Sequence, residues 1–289
     1  AALLSLCQLP AVASFLVELN SVSVEEVDEL DYDRRLAAYS DLPFLAPKLS
    51  PQLALPLLAH CIHDVEQDDI ALKSSAAHAI TTLVRHAAGQ ADDSGWSALL
   101  TQVLMPALRR GLRLPPEKDL LRLEMIKLIA ATLLAMPSLQ PELATLLSPQ
   151  EPEADFFFNL THVQMPRRQR ALARLAVRVR AGAFGVATLS NYLLPMLRHL
   201  VLRDNPKEID VAEEAVQVLK EVARLLPWRP FLATLQAFAR MLKREPRLEK
   251  RLVRAMVGTL DGFHFELVAE PADAEAAGQA MAVEAAAGG

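Results

Sequence analysis

The sequence predicts an all-α fold built from stacked helix pairs, and three observations support this prediction. Hydrophobic residues make up 52% of the 289 residues but aromatic residues only 5%, so the core is expected to consist of Leu, Ala and Val. The 10 glycines are few for this length, and the 19 prolines recur singly, as expected of breaks between helices. Apolar residues also recur at helical spacing over long stretches.

Three apolar helical runs contain a proline, and each is followed by a second apolar run. The prolines are Pro56, Pro106 and Pro195. The second runs are Ile70–His86, Asp119–Met136 and Ile209–Leu226. With a period of roughly 45 residues, the first two prolines lie about one repeat apart and the last two about two repeats apart. We therefore expect a recurring pair of helices whose first member carries the proline.

The second helices differ in how much of their surface is apolar. Ile209–Leu226 is apolar on one side and charged on the other, which predicts one buried face. Asp119–Met136 is apolar around more of its circumference, so we expect this helix to be packed on both sides. A final pair is predicted at Trp228–Lys243 and Arg247–Leu260.

These paired units resemble HEAT repeats, which bury their cores only against neighbouring units, and they predict an α-solenoid of HEAT-like helical repeats. An irregular α-helical domain is the alternative. The predicted segments are an acidic N-terminal helical segment and connector (1–50), HEAT-like repeats (51–136), an irregular proline-rich insertion (137–165), HEAT-like repeats with a basic helix (166–265) and a disordered Ala/Glu/Gly tail (266–289).

Cysteine usage, hydropathy and charge limit the class of protein. Cys7 and Cys61 lack CxxC spacing, so neither a disulfide framework nor a zinc site is expected. The longest apolar runs, such as Leu128–Met136, are shorter than the roughly 18 residues that span a bilayer, so no membrane partner is expected. The chain starts without Met inside a helical pattern, so we expect a fragment. Its ends are acidic and its middle is basic, which permits contact with a polyanion.

The only candidate for metal or catalytic chemistry is the segment HCIHD, with His60, Cys61, His63 and Asp64. Residues three and four apart share a helix face, as two metal ligands would. No third ligand motif, phosphate-binding glycine loop or GxSxG turn accompanies this segment. We therefore interpret it as a packed or surface helix end, and we expect no enzyme activity, cofactor, metal or small-molecule substrate.

A helix predicted to begin at Pro166 carries arginines without an intervening acid. They are Arg167, Arg168, Arg170, Arg174 and Arg178, and Arg180 follows them. Of these, Arg167, Arg170, Arg174 and Arg178 lie three or four residues apart and form one line of about 17 Å, which we call the arginine ridge. Guanidinium groups bind phosphates through paired donors, so these arginines are candidate contacts for RNA or an acidic partner. A solvated ridge, or one paired within the chain, is the alternative.

The residue types of three other segments also predict how those segments are packed or exposed. Phe156, Phe157 and Phe158 are interpreted as a packing plug, with a base-stacking platform as the alternative. A second basic run at Arg240–Arg254 contains acids, so a solvated face is expected. The acidic stretch Glu25–Asp41 is expected to be an exposed connector that then enters a repeat.

Three blocks of sequence resemble one family, the U3 small nucleolar RNA-associated protein 20 family. The most specific is ADFFFNLTHVQMPRRQRALARLA at Ala154–Ala176. The supporting blocks are EVDELDYDRRLAAYSDL at Glu26–Leu42 and LLPWRPFLATLQAFARML at Leu225–Leu242. Members of this family are giant helical-repeat scaffolds of the small-subunit processome in the nucleolus.

The resemblance implies a function that composition and spacing do not. It implies a non-enzymatic scaffold segment in pre-rRNA processing and small ribosomal subunit (18S rRNA) biogenesis, located in the nucleus and nucleolus. The implied partners are pre-ribosomal RNA, the U3 small nucleolar ribonucleoprotein and other processome proteins. The family pattern transfers no RNA-binding residue to this chain. A HEAT-repeat protein–protein adaptor without RNA contact is the alternative.

Overall fold

The computed structural model describes residues 2–23, 29–90 and 94–266. These ranges are α-helical and contain no β-sheet, and an isolated antiparallel bridge joins Val22 to Leu30. The all-α prediction is therefore confirmed. Among the described residues, no helix combines the length and the apolar character that crossing a bilayer requires.

The helices follow one another through short turns. They are α1 (Ala2–Leu19), α2 (Tyr32–Leu45), α3 (Pro51–Val65), α4 (Ile70–Gly89), α5 (Ser94–Leu99), α6 (Met105–Leu112), α7 (Asp119–Ala135), α8 (Pro141–Ala144), α9 (Phe156–Leu160), α10 (Met165–Arg180), α11 (Val186–Thr188), α12 (Leu194–Leu202), α13 (Ile209–Ala223), α14 (Trp228–Arg244) and α15 (Glu249–Leu260).

Successive helices pack as pairs, and the pairs pack on one another. The pairs are α1 with α2, α3 with α4, α6 with α7, α12 with α13, and α14 with α15. The second helices also contact each other, because α4 touches both α2 and α7, and α13 touches both α10 and α15. Each pair therefore completes its apolar core against its neighbours, as expected of stacked helical repeats.

The first helices of two pairs, α6 and α12, are each preceded by the same π-helical turn, which indicates that the two pairs are equivalent units. A π-helical turn of 5 residues, Leu100–Leu104, joins α5 to α6, and a second one, Leu189–Leu193, joins α11 to α12. Each turn ends just before the proline of its run, Pro106 or Pro195. Proline lacks an N–H group and its ring collides with the carbonyl one turn earlier, and the wider π-turn accommodates this collision. The same local solution recurs at the spacing that indicated a repeat.

The second helices begin and end close to the predicted positions. The three predicted second runs are α4, α7 and α13, and the final predicted pair is α14 and α15. A short 3-10 turn that starts with proline precedes three of these helices: Pro116–Lys118 before α7, Pro206–Glu208 before α13 and Pro246–Leu248 before α15. Proline suits such starts because its fixed φ matches a helix and its missing N–H has no partner there.

The segment between α7 and α10 is irregular, as its prolines predict. It contains a 3-10 turn at Pro137–Leu139 and the short helices α8 and α9. Asp155 stabilises this segment, because its carboxylate accepts from the backbone N–H of Phe158 (2.7 Å) and from that of Ser148 (3.0 Å). Helix α9 contacts both α7 and α10 and connects the two regular parts of the stack.

The acidic stretch expected to be an exposed connector is mostly helical, so that expectation is wrong from Tyr32 onward. Asp31 caps α2 by accepting from the N–H of Arg34 at 3.0 Å. Arg35 is buried on this helix and forms an ion pair with Asp64 of α3 at 3.0 Å. An arginine in an acidic stretch is therefore part of the core. Residues 24–28 and the predicted disordered tail from residue 267 onward lie outside the described residues.

Candidate functional site

The predicted arginine helix is α10, and it has two distinct faces. Its apolar residues Ala171, Leu172, Leu175 and Val179 are buried, and α10 packs along α13. The helix ends where Gly182 adopts a left-handed conformation with φ of 72°, a geometry that favours glycine. Packing therefore fixes the rotation of α10, and the arginine ridge is held on the side away from the core.

The first half of the arginine ridge is paired within the chain. Arg167 forms an ion pair with Glu153 at 2.6 Å, and Arg170 lies 3.8 Å from the other oxygen of the same carboxylate. Arg174 donates to the backbone carbonyl of Glu153. Three ridge arginines thus converge on one residue of the irregular segment.

The second half of the ridge binds the same segment nearer its start. Arg178 donates to the carbonyl of Thr145 at 2.6 Å and also to the hydroxyl of that residue. Its guanidinium lies 5.6 Å from the centre of the Phe184 ring, within the range of a cation–π contact. The ridge therefore fastens residues 145–153 to α10, which is the pairing within the chain that was the alternative to an RNA contact.

Arg168 differs from the other candidate arginines because it points into the stack. Its side chain is only 5% exposed and forms an ion pair with Glu208 at 3.0 Å. The spacing of Arg168 to Leu172 and Leu175 already places it on the apolar face. The predicted partner contact is therefore confined to the arginine ridge, where it stays a prediction.

The Arg168 ion pair belongs to a buried network of charges that links α10, α12, α13 and α7. Glu208 also pairs with Arg203 at 3.0 Å, and Arg203 pairs with Asp119 at 3.0 Å. His199 completes the network, since its Nε2 atom lies 2.5 Å from a carboxylate oxygen of Asp119. The sequence pattern did not reveal these contacts, which join residues far apart in the chain.

Burial and neighbouring charges set the ionisation of this network. The pKa of His199 lies below its ordinary value, because burial and the charges of Arg122 and Arg203 outweigh the attraction of Asp119. Burial raises the pKa of Asp119, but the hydrogen bond with His199 and the charge of Arg203 outweigh it and hold that pKa below its ordinary value. The network is therefore stable with a neutral imidazole and an ionised carboxylate.

The phenylalanine block divides into two parts. Phe156 and Phe157 are buried and pack edge to face with ring centres 5.3 Å apart, as expected of a packing plug. Phe158 is 48% exposed and lines an apolar groove of about 490 Å³ between α7 and α9, together with Leu134 and Val163. The plug prediction is thus confirmed for two of the three rings.

Cys61 and Asp64 of the HCIHD segment are buried near α2, whereas His63 is exposed. Asp64 accepts a hydrogen bond from Tyr39 at 2.7 Å in addition to its ion pair with Arg35, and His60 lies 3.3 Å from the same carboxylate. Cys61 is fully buried, and burial and the charge of Asp64 raise its pKa to about 12. Among the described residues, no group of three or more His, Cys, Asp or Glu is placed to hold a metal ion.

The second basic run is partly paired with acids, in line with its mixed signs. Arg254 pairs with Glu213, and Arg247 lies 3.0 Å from Glu245. Arg251 donates instead to backbone carbonyls just before α13. This face connects α15 to the preceding repeat and leaves Arg240 of α14 outside these pairs.

Comparison with known proteins identifies a family model and two proteins that are similar to this chain. A family model described as U3 small nucleolar RNA-associated protein 20, N-terminal, matches residues 5–115. The protein named U3 small nucleolar RNA-associated protein 20 from Saccharomyces cerevisiae is 28% identical over 257 residues, which cover 86% of this chain and 10% of that protein. Its namesake from Schizosaccharomyces pombe is 26% identical over 254 residues, which cover 85% of this chain and 10% of that protein.

The extent of these matches matters for what they imply. The chain spans about a tenth of the length of both relatives. A solved structure of an engineered protein covers 89% of this chain and 99% of its own, but its TM-score of 0.26 and identity of 15% are too low to support an argument. The family resemblance that the sequence indicated is confirmed by the family model and the two relatives, so this chain is similar over most of its length to U3 small nucleolar RNA-associated protein 20.

Proposed function

We propose that this chain is one helical-repeat segment of a scaffold that acts in small ribosomal subunit biogenesis together with the U3 small nucleolar ribonucleoprotein. The proposal rests on the similarity of 85–86% of the chain to two proteins named U3 small nucleolar RNA-associated protein 20. In this proposal the segment works in the nucleolus, catalyses no reaction and contributes a binding surface to the processome.

The packing of the helices supports a role that depends on shape. Stacked pairs share their cores, so displacing one pair exposes apolar surface on the next. The buried network through Asp119, Arg203 and Glu208 adds an ion pair between the α6–α7 pair and the α12–α13 pair. Such a stack can hold RNA and protein elements at a constant separation while pre-ribosomal RNA is processed.

A cellular experiment tests this proposal. The parent protein is tagged and purified from cells, and the U3 small nucleolar RNA and small-subunit pre-rRNA in the eluate are measured. We expect enrichment of both RNAs, a nucleolar signal for the tagged protein and accumulation of unprocessed small-subunit rRNA after depletion. Cytoplasmic residence without enrichment of either RNA would overturn the proposal.

One observation favours the second candidate, an adaptor that binds proteins alone. The groove between α7 and α9 is apolar, and Val163 at its edge is 87% exposed. Exposed apolar grooves commonly receive side chains of a partner protein. The substitution Val163→Glu should release such a partner from the purified parent protein without unfolding it. Partners that survive ribonuclease treatment but are lost in this variant would favour the adaptor.

A further inference from the structure

A small pocket between α6, α7 and α12 has a strongly basic lining. It has a volume of about 120 Å³, and its polar lining consists of Arg113, Arg122, Arg198 and His199. Leu114 and Pro195 contribute apolar surface. The volume is that of a small group and not of a whole nucleotide, and the lining contains no acidic side chain.

Arg198 is one of the basic residues that line this pocket, and among the described residues it has no acidic partner. Within residues 2–23, 29–90 and 94–266, its Nε atom is buried without a hydrogen-bond partner, and none of the ion pairs includes its guanidinium. Leaving a buried polar or charged group unpaired is costly. An arginine kept in this state without a structural partner is a candidate ligand-binding group.

The neighbours of Arg198 are cations. Burial, the charge of Arg240 and the charge of Arg113 lower the pKa of Arg198. Arg113 donates to the neutral side chain of Asn191 at 2.8 Å, and this contact leaves its charge uncompensated. We call Arg113, Arg198 and Arg240 the Arg198 cluster; its members come from the first helices of three pairs, namely Arg113 at the C-cap of α6, Arg198 in α12 and Arg240 in α14.

The remaining lining residues do not neutralise the cluster. Arg122 donates to the carbonyls of Leu114 and Pro115 and lies 2.5 Å from Nδ1 of His199, so its donors are occupied. The nearby carboxylate of Asp119 is already bound to His199 and Arg203. A net positive charge therefore remains in the lining of the pocket.

We propose that the Arg198 cluster binds a phosphate group of an RNA strand. A phosphodiester offers two unesterified oxygens and one negative charge, and guanidinium donors match this geometry. A strand carries further phosphates at short intervals, so arginines on different helices can bind different phosphates of the same strand. The inference rests on the proposed association with RNA and names the part of the surface that makes it.

The first experiment uses inorganic phosphate as the probe. The melting temperature of the purified chain is measured in chloride and in phosphate buffers of equal ionic strength. A ligand that binds only the folded state raises the melting temperature. We expect phosphate to stabilise the wild-type chain and the variant Arg34→Met, whose arginine pairs with Glu18, but not Arg198→Met. Equal stabilisation of all three proteins would overturn the site.

The second experiment measures the binding of a fluorescent single-stranded 20-nucleotide RNA. Arg198→Met keeps the apolar part of the side chain and removes the charge. It should weaken binding about tenfold and reduce the steepness of the salt dependence by about 0.7 in the log–log slope per lost phosphate contact. Arg34→Met is the matched control, because Arg34 of α2 lies outside the arginine ridge and the Arg198 cluster and already pairs with Glu18 at 2.7 Å, and it should change affinity less than twofold. Equal losses in the two variants would overturn the assignment.

A third measurement separates this inference from the proposed function. Polyglutamate is used as a competitor of RNA; if it displaced RNA at equal charge concentration and bound the chain as tightly, the specificity for phosphate would be refuted. The parent protein carrying Arg198→Met is also purified from cells. Unchanged enrichment of U3 and pre-ribosomal RNA in this variant would contradict the phosphate site but not the proposed scaffold function. If the wild-type protein itself enriched neither RNA, both proposals would be contradicted.

Discussion

The arginine ridge of α10 and the Arg198 cluster have the same charge but opposite surroundings. The ridge is conspicuous in the sequence, and its members bind Glu153 and Thr145. The cluster is inconspicuous in the sequence, since its members lie on three helices, and Arg198 has no acidic partner among the described residues. This difference shows that a run of basic residues in the sequence does not reveal whether its arginines are free to bind a partner. That depends on which acidic residues the fold places next to each arginine.

The same distinction applies inside α10. Arg168 and Arg167 are adjacent in sequence, but one is buried in the charge network and the other lies at the edge of the irregular segment. A helical rotation of about 100° per residue separates adjacent side chains onto different faces. Replacing different arginines with methionine should therefore change the free energy of unfolding by different amounts, and in some cases in opposite directions.

The largest effect is expected from Arg168→Met. This change leaves Glu208 buried with Arg203 as its only remaining cation, and breaking a buried ion pair typically costs about 3 kcal/mol. Urea unfolding followed by circular dichroism measures the loss. A loss below about 1 kcal/mol would show that the pair contributes little to the packing of α10 on α13.

A smaller loss, about 1 to 2 kcal/mol, is expected from Arg178→Met. The variant removes the hydrogen bonds to Thr145 and the contact with the Phe184 ring. Hydrogen exchange should accelerate in residues 145–153, while Arg110→Met, a change at an exposed position of α6, should leave it unaltered. Unaltered exchange in both variants would contradict the view that the ridge fastens this segment.

Arg198→Met should act in the opposite direction from Arg168→Met. Removing an unpaired, partly buried charge between other cations should stabilise the chain by about 1 kcal/mol and raise its melting temperature by about 2 °C or more. Scanning calorimetry in chloride buffer measures the shift. A clear destabilisation would indicate that Arg198 serves the fold and would remove the contrast between the two regions.

The charge network should make stability depend on pH. Because the pKa of His199 is below 6.5 in the folded chain, the unfolded state binds more protons as the pH falls below 6.5. The contribution of His199 to the free energy of unfolding is therefore fully present above pH 6.5. It decreases at lower pH by at most about 1.4 kcal/mol per pH unit.

Urea unfolding at pH 7.5 and pH 5.5 tests this dependence. Burial also lowers the pKa of His86, which acts in the same direction, so the comparison uses His199→Gln and His86→Gln separately. Each variant should show a weaker pH dependence than the wild type. An unchanged dependence in His199→Gln would contradict the role assigned to the imidazole.

The smallest effect is expected from Arg170→Met. Its distance to Glu153 is 3.8 Å, and the two side chains are 58% and 60% exposed, so solvent screens their attraction. The change should alter the free energy of unfolding by less than about 0.5 kcal/mol in a urea titration. If it also weakened RNA binding as strongly as Arg198→Met, the exposed part of the ridge would be a contact as well.

Local features of the fold could be predicted because they depend on neighbours in sequence. Apolar periodicity placed α4, α7 and α13 within a few residues of their observed ends, and isolated prolines marked the irregular segment. Composition misled at the acidic stretch, where it suggested an exposed connector, because Arg35 is buried against Asp64. Composition does not show that a charged residue has a partner 29 positions further along the chain.

The candidate site was predictable only in part. Helical spacing identified the arginine ridge, and the same spacing indicated that Arg168 shares a face with Leu172. No local pattern shows that Glu153 turns back toward α10, or that the charges of Arg113 and Arg240 act on Arg198. Both depend on how the irregular segment and the first helices of different pairs are placed.

By itself, the amino-acid sequence determined the all-α class, the approximate helix boundaries, the repeat spacing and the family resemblance, because each depends on residue type and on order along the chain. Only the tertiary structure decided which arginines are paired and which are not. Pairing requires groups to lie within about 4 Å, and the packing of helices distant in sequence sets that separation.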